Sequence, residues 1–377
     1  MTTLTDYEPL VDRSIRVLFR QLDHLYESTA TPCHIFEWLQ YYAFDVIGEL
    51  TCSASFGFLE GARDVDGIME ALNKSMDYSA AVGQVPWLDY WLKKNPLRAK
   101  MARPTGPVMK FTQQRLEERL EAEGKRSAVV EDSGSRKVDF VDRFLAAKES
   151  HPEVVNDKQI LSYMTTNIRA GSDTTAISLR AILYYTIKHP AVYAKLMREL
   201  EDAHSSGSLS VPATWKQSQE LPYFDAVVKE ALRLHPAVGL ILERIVPSNG
   251  LRLDCGHVLP PGTIVGASPW VMHRDQRVFG EDVDVFRPER WLRADDELPG
   301  DFEARLHDMT RATMTFGKGS RTCIGRNISL LEIYKMLPSF FLTYTVRHRT
   351  FLLIVSPPSH KQPPMDTKVD HLFDELG

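Results

Sequence analysis

The chain has 377 residues, of which 43% are hydrophobic and 25% charged, and its formal net charge is -5. This composition allows a globular protein of one large domain or two ordinary ones. Acidic and basic residues are interspersed, so the basic stripe that nucleic-acid binding requires is absent and nucleic acid is disfavoured as a partner. The 4 cysteines form no Cys-x-x-Cys pair. Their spacing argues against structural zinc and favours a reducing compartment over a disulfide-linked secreted fold.

Helical periodicity dominates the chain as far as residue 234, with apolar side chains recurring at helical spacing. Helices are predicted, in chain order, over Glu8 to Leu25, Ile35 to Thr51, Asp64 to about Val82, about Gly106 to Gly124, Asn156 to His189, Val192 to His204 and Phe224 to Leu234. The polar segment from Ser127 to Lys137 predicts an exposed loop. The helix that begins at Asn156 is apolar on most sides, which is typical of a helix running through the middle of a large domain.

After Pro236 the pattern changes to short β-like runs that alternate with turn sequences. The runs are Val238 to Val246, Leu251 to Leu253 and Thr263 to Gly266. They predict a small sheet, so the expected fold class is mainly α with a small β region. No window reaches the roughly 18 to 20 consecutive apolar residues of a membrane-spanning helix, and the first residues do not resemble a signal peptide. We therefore expect no membrane anchor in this chain.

The long predicted helix contains an unusual segment, Ala170 to Thr175 (AGSDTT), in which Gly, Asp and Thr are poor helix formers. One interpretation is a local kink, where a Thr hydroxyl bonds back to a carbonyl one turn earlier. In the functional interpretation Gly171 opens space beside a bound planar group and Thr174 offers a hydroxyl. Asp173 then connects that hydroxyl to solvent protons.

Two further charged motifs have ordinary interpretations when taken alone. Glu230 and Arg233 are three residues apart on a predicted helix, a spacing that usually indicates a surface ion pair worth roughly a few tenths of a kcal/mol. Arg244 lies on a predicted strand, where a lone arginine is usually solvated.

The segment from Phe316 to Gly325 gives the strongest indication of function. A cysteine thiolate is a strongly donating iron ligand, but it persists only where its charge is stabilised. Here glycines let the backbone approach a flat ligand and point amide hydrogens at sulfur. Arg321 adds a positive charge, and the apolar run after Cys323 predicts a helix whose N-terminus faces the sulfur. The alternative is a buried, inert cysteine.

This spacing, Phe-x-x-Gly-x-Arg-x-Cys-x-Gly, resembles the haem-binding loop of the cytochrome P450 family. The AGSDTT segment, the Glu230-x-x-Arg233 pair and the Pro288-Glu289-Arg290-Trp291 segment precede it in the order in which the family has its oxygen-activation, Glu-x-x-Arg and Pro-Glu-Arg motifs. The segments Trp38 to Gly48 and Gly83 to Tyr90 are similar to filamentous-fungal members near the pisatin demethylase-like branch.

The resemblance implies the cytochrome P450 fold, as a single haem domain over residues 1–377, and haem as the cofactor. Cys323 would be the thiolate ligand of the iron, and Asp173 and Thr174 the oxygen-activation pair. Glu230, Arg233 and Arg290 would form a buried structural triad. Further haem-binding residues implied by the resemblance are Phe316, Gly319, Arg321, Gly325, Gly171 and Arg244, of which Arg321 and Arg244 would contact propionates.

The resemblance is incomplete at both ends of the chain. The membrane anchor, first sheet and first helices of the family have no counterpart here, so we expect an N-terminally truncated member. The family has a pocket-closing hairpin after the segment that corresponds to Phe340 to Leu342. Here Arg347 to Arg349 and the Pro-rich stretch Pro357 to Pro364 predict a divergent, partly irregular tail over residues 343–377. We expect lower stability and weaker haem binding than in a full member.

The function implied is a monooxygenase that inserts one oxygen atom from O2 into a small apolar organic substrate, in fungal secondary metabolism. Electrons would come from NADPH through a cytochrome P450 reductase. By resemblance alone the protein would associate with the cytosolic face of the endoplasmic reticulum membrane; without an anchor, the cytoplasm is the alternative. The segments implied to contact substrate are Ser75 to Trp87, Asn167 to Ala170 and Ala237 to Leu242.

Two other hypotheses remain. The chain could be a non-catalytic remnant that cannot hold haem productively. A hydrolase that uses Cys323 with a histidine ranks last, because no local signature of such enzymes is present.

Overall fold

A computed structural model describes residues 2–26, 33–92, 94–96, 106–126, 139–349 and 352–356. The helices are, in chain order, α1 Thr2–Thr5, α2 Glu8–Tyr26, α3 Ile35–Cys52, α4 Phe58–Gly61, α5 Ile68–Gln84, α6 Trp87–Leu92, α7 Pro107–Arg126, α8 Phe140–Ser150, α9 Asp157–Lys188, α10 Pro190–Ser205, α11 Trp215–Gln219, α12 Pro222–Leu234, α13 Pro269–Met272, α14 Gln276–Phe279, α15 Pro299–Ala312 and α16 Arg326–Thr343. Short 3-10 helices cover Pro288–Trp291 and Gly319–Arg321. The fold class is mainly α, as predicted.

The long helix α9 lies in the middle of the fold and packs against α3, α7, α12 and α16. Its start is fixed by Asn156, whose side chain accepts a hydrogen bond from Gln159 N at 3.1 Å, the usual arrangement of an N-cap. It ends before Pro190, which begins α10. The main hydrophobic core extends from Tyr7 to Tyr344 and includes side chains of α2, α3, α9, α12 and α16. Among the described residues, no helix combines the length and the apolar character needed to cross a membrane.

The β structure consists of antiparallel pairs. The strands are β1 Leu242–Ile245, β2 Leu251–Arg252, β3 Val258–Leu259, β4 Ile264–Ala267, β5 Thr345–Arg349 and β6 Leu352–Ser356. Strand β1 pairs with β4, with Leu242 opposite Ala267, and β2 pairs with β3. The predicted small sheet region after Pro236 is therefore present as two short ladders.

The end of the described chain differs from the sequence-based expectation of irregular structure at Arg347 to Arg349. These residues lie in β5, which pairs with β6 so that Thr345 is opposite Ser356 and Arg349 is opposite Leu352. Each strand contains two β-branched residues, which favour extended backbone: Thr345 and Val346 in β5, and Ile354 and Val355 in β6. Pairing with β6 carries the extended conformation through Arg347 to Arg349. The Pro-rich stretch Pro357 to Pro364 lies outside the described residues.

Candidate functional site

The cysteine loop, residues 314–325, is a tightly turned segment that presents Cys323 at the protein surface. Gly317 and Gly319 have φ angles of 72° and 68°, in the left-handed region that favours glycine. Cys323 N donates to Phe316 O at 2.8 Å and closes the loop. The side chain of Phe316 is half-buried and packs against the main core. The loop is thus attached to the core at one end and free to contact a ligand at Cys323.

The sulfur of Cys323 lies beside the start of α16, which begins at Arg326 with Gly325 as its N-cap. A Cβ added to Gly325 would lie 3.9 Å from Cys323 Sγ. The positive end of the helix dipole therefore faces the region where a thiolate would be stabilised. The alternative hypothesis of a buried, inert cysteine fits Cys33 and Cys52, because burial raises the pKa of both thiols to about 12. It does not fit Cys323, which is exposed.

The two arginines predicted as propionate partners are both exposed. Arg321 lies in the 3-10 turn just before Cys323. Arg244 lies on β1, where its Nη1 donates to Glu243 O at 2.7 Å. Arg244 also lines an open groove of about 480 Å³ together with Met314 and Lys318 of the cysteine loop. Arg244 and the cysteine loop therefore border one surface.

The AGSDTT segment continues as regular helix within α9. Thr174 Oγ1 donates to Ala170 O at 2.7 Å, which is the back-bond to the preceding turn that the kink interpretation described. Next to it, Thr175 Oγ1 is 3.2 Å from Ser329 Oγ of α16. This contact joins α9 to α16 near the end of α16 that begins beside Cys323, so the AGSDTT segment and the cysteine loop lie toward the same end of the α9–α16 contact.

The protein neighbour of Gly171 is Ile47 of α3. A Cβ at this position would meet Cγ1 and Cδ1 of Ile47, both at 2.9 Å. The missing side chain therefore allows α9 to approach α3 closely. The sequence pattern alone could not distinguish this helix–helix contact from space beside a planar ligand.

Asp173 belongs to a polar cluster between α3 and α9 that sequence analysis missed. Gln40 Nε2 lies 3.4 Å from Asp173 Oδ1, and Arg180 Nη2 donates to Gln40 Oε1 at 2.6 Å. Arg180 Nε also donates to Phe36 O at 2.8 Å. Burial raises the pKa of Asp173 above its ordinary value, and the Arg180 guanidinium acts in the opposite direction. Asp173 is therefore a half-buried carboxyl group whose proton affinity is set by burial and one nearby cation.

The structure brings Glu230, Arg233 and Arg290 together in the protein interior. Arg233 binds Glu230 in a bidentate manner at 2.9 and 2.8 Å, and Arg290 Nε lies 3.2 Å from Glu230 Oε1. Trp291 Nε1 donates to Glu230 Oε2 at 2.9 Å, a partner that the sequence did not indicate. Glu230 and Arg233 have 0% exposure, so the pair is not the surface ion pair that its spacing alone would suggest. Disruption of such a fully bonded buried carboxylate strongly destabilises the fold.

The residues of this site fit a haem-thiolate group. An exposed thiol at a helix N-terminus meets the requirement for a stabilised sulfur ligand. Left-handed glycines in the loop leave no Cβ between backbone and ligand, and Arg321 and Arg244 provide cations for acidic substituents. The residues that would hold the group are therefore Cys323, Arg321 and Arg244.

A family model for cytochrome P450 matches residues 1–364. The chain belongs to the cytochrome P450 family. This P450 chain is 42% identical, over 346 residues, to the cytochrome P450 monooxygenase cicH of Emericella nidulans, a match that covers 92% of this chain and 66% of the relative. It is 40% identical to a cytochrome P450 monooxygenase of Aspergillus terreus, covering 94% of this chain and 70% of that relative.

A third relative, the cytochrome P450 monooxygenase mpaDE of Penicillium roqueforti, is 39% identical over 364 residues. That match covers 96% of this P450 chain and 40% of the relative. The chain thus spans about two thirds of the length of the first two relatives and less than half of the third.

Proposed function

We propose that this P450 chain holds haem through Cys323 and is a monooxygenase that transfers one oxygen atom from O2 to a small apolar organic substrate. The observation on which the proposal mainly rests is the exposed Cys323 thiol at the start of α16, a helix that also contacts the AGSDTT segment through Ser329. Bound haem would supply the activation of O2. Names of the relatives as cytochrome P450 monooxygenases support the same reaction class.

The protein residues would supply protons and orientation. Asp173 has a raised pKa and lies in a half-buried position, so it can exchange a proton between solvent and the helix surface. Thr174 can hold a proton at Oγ1. In this structure its hydroxyl donates to the carbonyl of Ala170 within α9. General acid–base groups of this kind typically contribute rate factors of about 10² or more.

The substrate side of the proposal rests on apolar side chains. In the segment Ala237 to Leu242, Leu240 and Ile241 are 64% and 59% exposed, and Ala170 at the end of Asn167 to Ala170 is exposed. Apolar walls with few polar groups favour an apolar ligand. We further propose a role in fungal secondary metabolism, electrons from NADPH through a cytochrome P450 reductase, and association with the cytosolic face of the endoplasmic reticulum. The narrower placement near the pisatin demethylase-like branch remains a prediction.

The first test is spectroscopic. Protein expressed with ample haem, purified, reduced and exposed to carbon monoxide should show the absorption band of thiolate-ligated ferrous haem. Cys323→Ser should abolish this band, whereas the matched variant Cys255→Ser, at another exposed cysteine, should retain it. Absence of haem in the unmodified protein would favour the non-catalytic remnant.

The second test concerns the proton path. Thr174→Ala should keep the carbon monoxide band but lower the product formed per NADPH consumed, by about tenfold or more. Thr166→Ala, at an exposed position earlier in α9, is the control. Unchanged coupling in Thr174→Ala would refute the distal assignment and leave the haem assignment intact.

A further inference from the structure

His273 is a buried histidine to which the proposed function gives no task. It directly follows α13 and has 0% exposure. Its Nδ1 lies 2.9 Å from Arg233 O, and its Nε2 lies 2.7 Å from Met314 N. A carbonyl only accepts and a backbone N–H only donates, so the proton must be on Nδ1 and Nε2 must be the acceptor. Only one tautomer of the neutral ring satisfies both contacts.

The first partner joins His273 to the buried ion-pair cluster of Glu230, Arg233 and Arg290. The His273 ring donates to the main-chain oxygen of Arg233, and Arg233 Nη1 donates to the main-chain oxygen of His273 at 2.8 Å. Each side chain therefore holds the backbone of the other residue. Because every atom of this exchange is buried, loss of one bond leaves a polar group without a partner, which is costly.

The second partner joins His273 to the cysteine loop. Met314 is the first residue of that loop, and its carbonyl accepts from Gly317 N at 2.9 Å. The next turn is closed by the 2.8 Å bond from Cys323 N to Phe316 O. The hydrogen bond to Met314 thus fixes the position from which the loop turns toward Cys323.

We propose that His273 is a positioning residue that fixes the start of the cysteine loop to the buried ion-pair cluster, and that it does so only as the neutral imidazole. This inference rests on the proposed function, since the loop is the segment that would present the thiolate. The imidazole acts through Met314 and does not itself touch the reacting atoms.

The charges around His273 favour this neutral state. Burial lowers its pKa to about 4, and the nearby cations Arg233 and Arg274 contribute in the same direction. Glu230, the carboxylate on this side, is bonded to Arg233. A second ring proton would point at the Met314 N–H, so protonation would replace an attraction by a repulsion.

The test that does not depend on haem is limited proteolysis of the purified chain by trypsin. Lys318 and Arg321 are exposed residues of the cysteine loop, and Lys74 is an exposed reference site in α5. His273→Leu fills the buried site with an apolar side chain but leaves Met314 N without its partner. We expect cleavage after Lys318 and Arg321 to be about tenfold faster relative to cleavage after Lys74, because proteolysis follows the population of the open loop.

A conservative variant and a matched control separate positioning from general loss of stability. In His273→Gln the carboxamide can accept from Met314 N and donate to Arg233 O, so this variant should restore at least part of the protection. His235→Ala changes a nearby histidine that contacts Trp270 and should leave the cleavage ratio unchanged. Equal acceleration at all three sites in His273→Leu, or an unchanged ratio in the folded variant, would overturn the proposal.

The carbon monoxide spectrum distinguishes failure of this inference from failure of the proposed function. If the unmodified protein shows the thiolate band, His273→Leu should lose a larger fraction of it on storage than His273→Gln. A stable band in His273→Leu refutes the positioning role and leaves the monooxygenase proposal standing. If the unmodified protein shows no band but the trypsin ratio changes as expected, the positioning role stands and the proposed function fails.

The neutral-ring requirement is tested by pH. The folded pKa of about 4 lies below the ordinary value of 6.5, so between these values the unfolded chain binds more protons than the folded one. His273 therefore stabilises the fold above pH 6.5, and this contribution is lost as the pH falls toward 4. The melting-temperature difference between the unmodified protein and His273→Gln should shrink over that interval; a constant difference would contradict the neutral-ring requirement.

Discussion

The polar cluster around Glu230 and the polar cluster around Asp173 are built differently. In the ion-pair cluster around Glu230, both carboxylate oxygens accept hydrogen bonds from buried donors at 2.8 to 3.2 Å. In the cluster around Asp173, the nearest donor is Gln40 at 3.4 Å and the carboxyl group is half-buried. The neighbouring Ser172 Oγ has no partner although it is buried.

The Glu230 cluster is therefore suited to a rigid structural role, and the Asp173 cluster is suited to proton exchange. A buried carboxylate held by several donors is costly to disrupt, which suits a cluster that holds a loop in place. A loosely bonded carboxyl group with a raised pKa can take up and release a proton. The expected effects decrease from the Glu230 cluster, through the contact of α9 with α3 at Gly171, to the Asp173 cluster.

Removal of the charge at Glu230 should have the largest effect. Glu230→Gln leaves the fully buried Arg233 without its carboxylate, and breaking a buried pair in this way costs about 3–5 kcal/mol. We expect a large fall in the urea midpoint, or failure to fold. The exposed Glu201→Gln in α10 should change stability little. A loss below about 1 kcal/mol in Glu230→Gln would show that the cluster tolerates an uncompensated arginine.

The close approach of α9 and α3 predicts an intermediate effect at Gly171. Gly171→Ala places a Cβ 2.9 Å from Ile47, and such overpacking typically costs about 1–3 kcal/mol. Gly83→Ala is the matched helical control, because a Cβ there meets nothing within 4 Å. The second variant should be neutral or slightly stabilising, since alanine is the better helix former.

A double-mutant cycle with Ile47→Ala identifies the cause of the Gly171 effect. Truncation of Ile47 removes the two atoms that lie 2.9 Å from the new Cβ and leaves only Ile47 Cβ, at 3.7 Å. The cost of Gly171→Ala should then largely disappear, and the coupling energy measured by thermal unfolding should be clearly nonzero. Additive effects would instead indicate that Gly171 is required for another reason, including the space beside a planar ligand that the sequence suggested.

Local patterns predicted most of the longer helices, but the helices Phe140–Ser150 and Pro299–Ala312 were not predicted. The partners of the functional residues were not predicted either. The helix predicted over Asn156 to His189 occurs as Asp157–Lys188, because cap residues and Pro190 mark its ends in the sequence itself. The hairpin of β5 and β6 was missed because charged and proline-rich neighbours obscured its β-branched residues.

Contacts between residues far apart in the chain could not be predicted from the sequence for a different reason. Arg180 meets Gln40 across 140 positions, and His273 meets Met314 across 41. Neither pair has a fixed spacing that could have revealed it. His273 lies in the sequence between the Glu230-x-x-Arg233 and Pro288-Glu289-Arg290 motifs, but only the structure shows that it is buried and that both of its nitrogens are used.

The smallest predicted effect concerns the pH dependence of stability. The Arg180 guanidinium opposes the rise that burial causes in the pKa of Asp173. Burial raises the folded pKa of Asp173 above its unfolded value, so the folded chain binds protons more tightly and stability falls as the pH rises through that interval. Arg180→Gln removes the opposing cation and should move the folded pKa of Asp173 further upward. Its melting temperature should then fall more steeply than that of the unmodified protein from acidic to neutral pH.

Asp173→Asn supplies the reference for this measurement, because it cannot titrate. The additional pH dependence of Arg180→Gln should vanish in the double variant Arg180→Gln with Asp173→Asn, whereas the exposed Arg198→Gln in α10 should behave like the unmodified protein. If the steeper dependence persists without Asp173, the charge of Arg180 acts on another group. The pKa of Asp173 would then not depend on Arg180, and proton exchange in this cluster would lose its electrostatic basis.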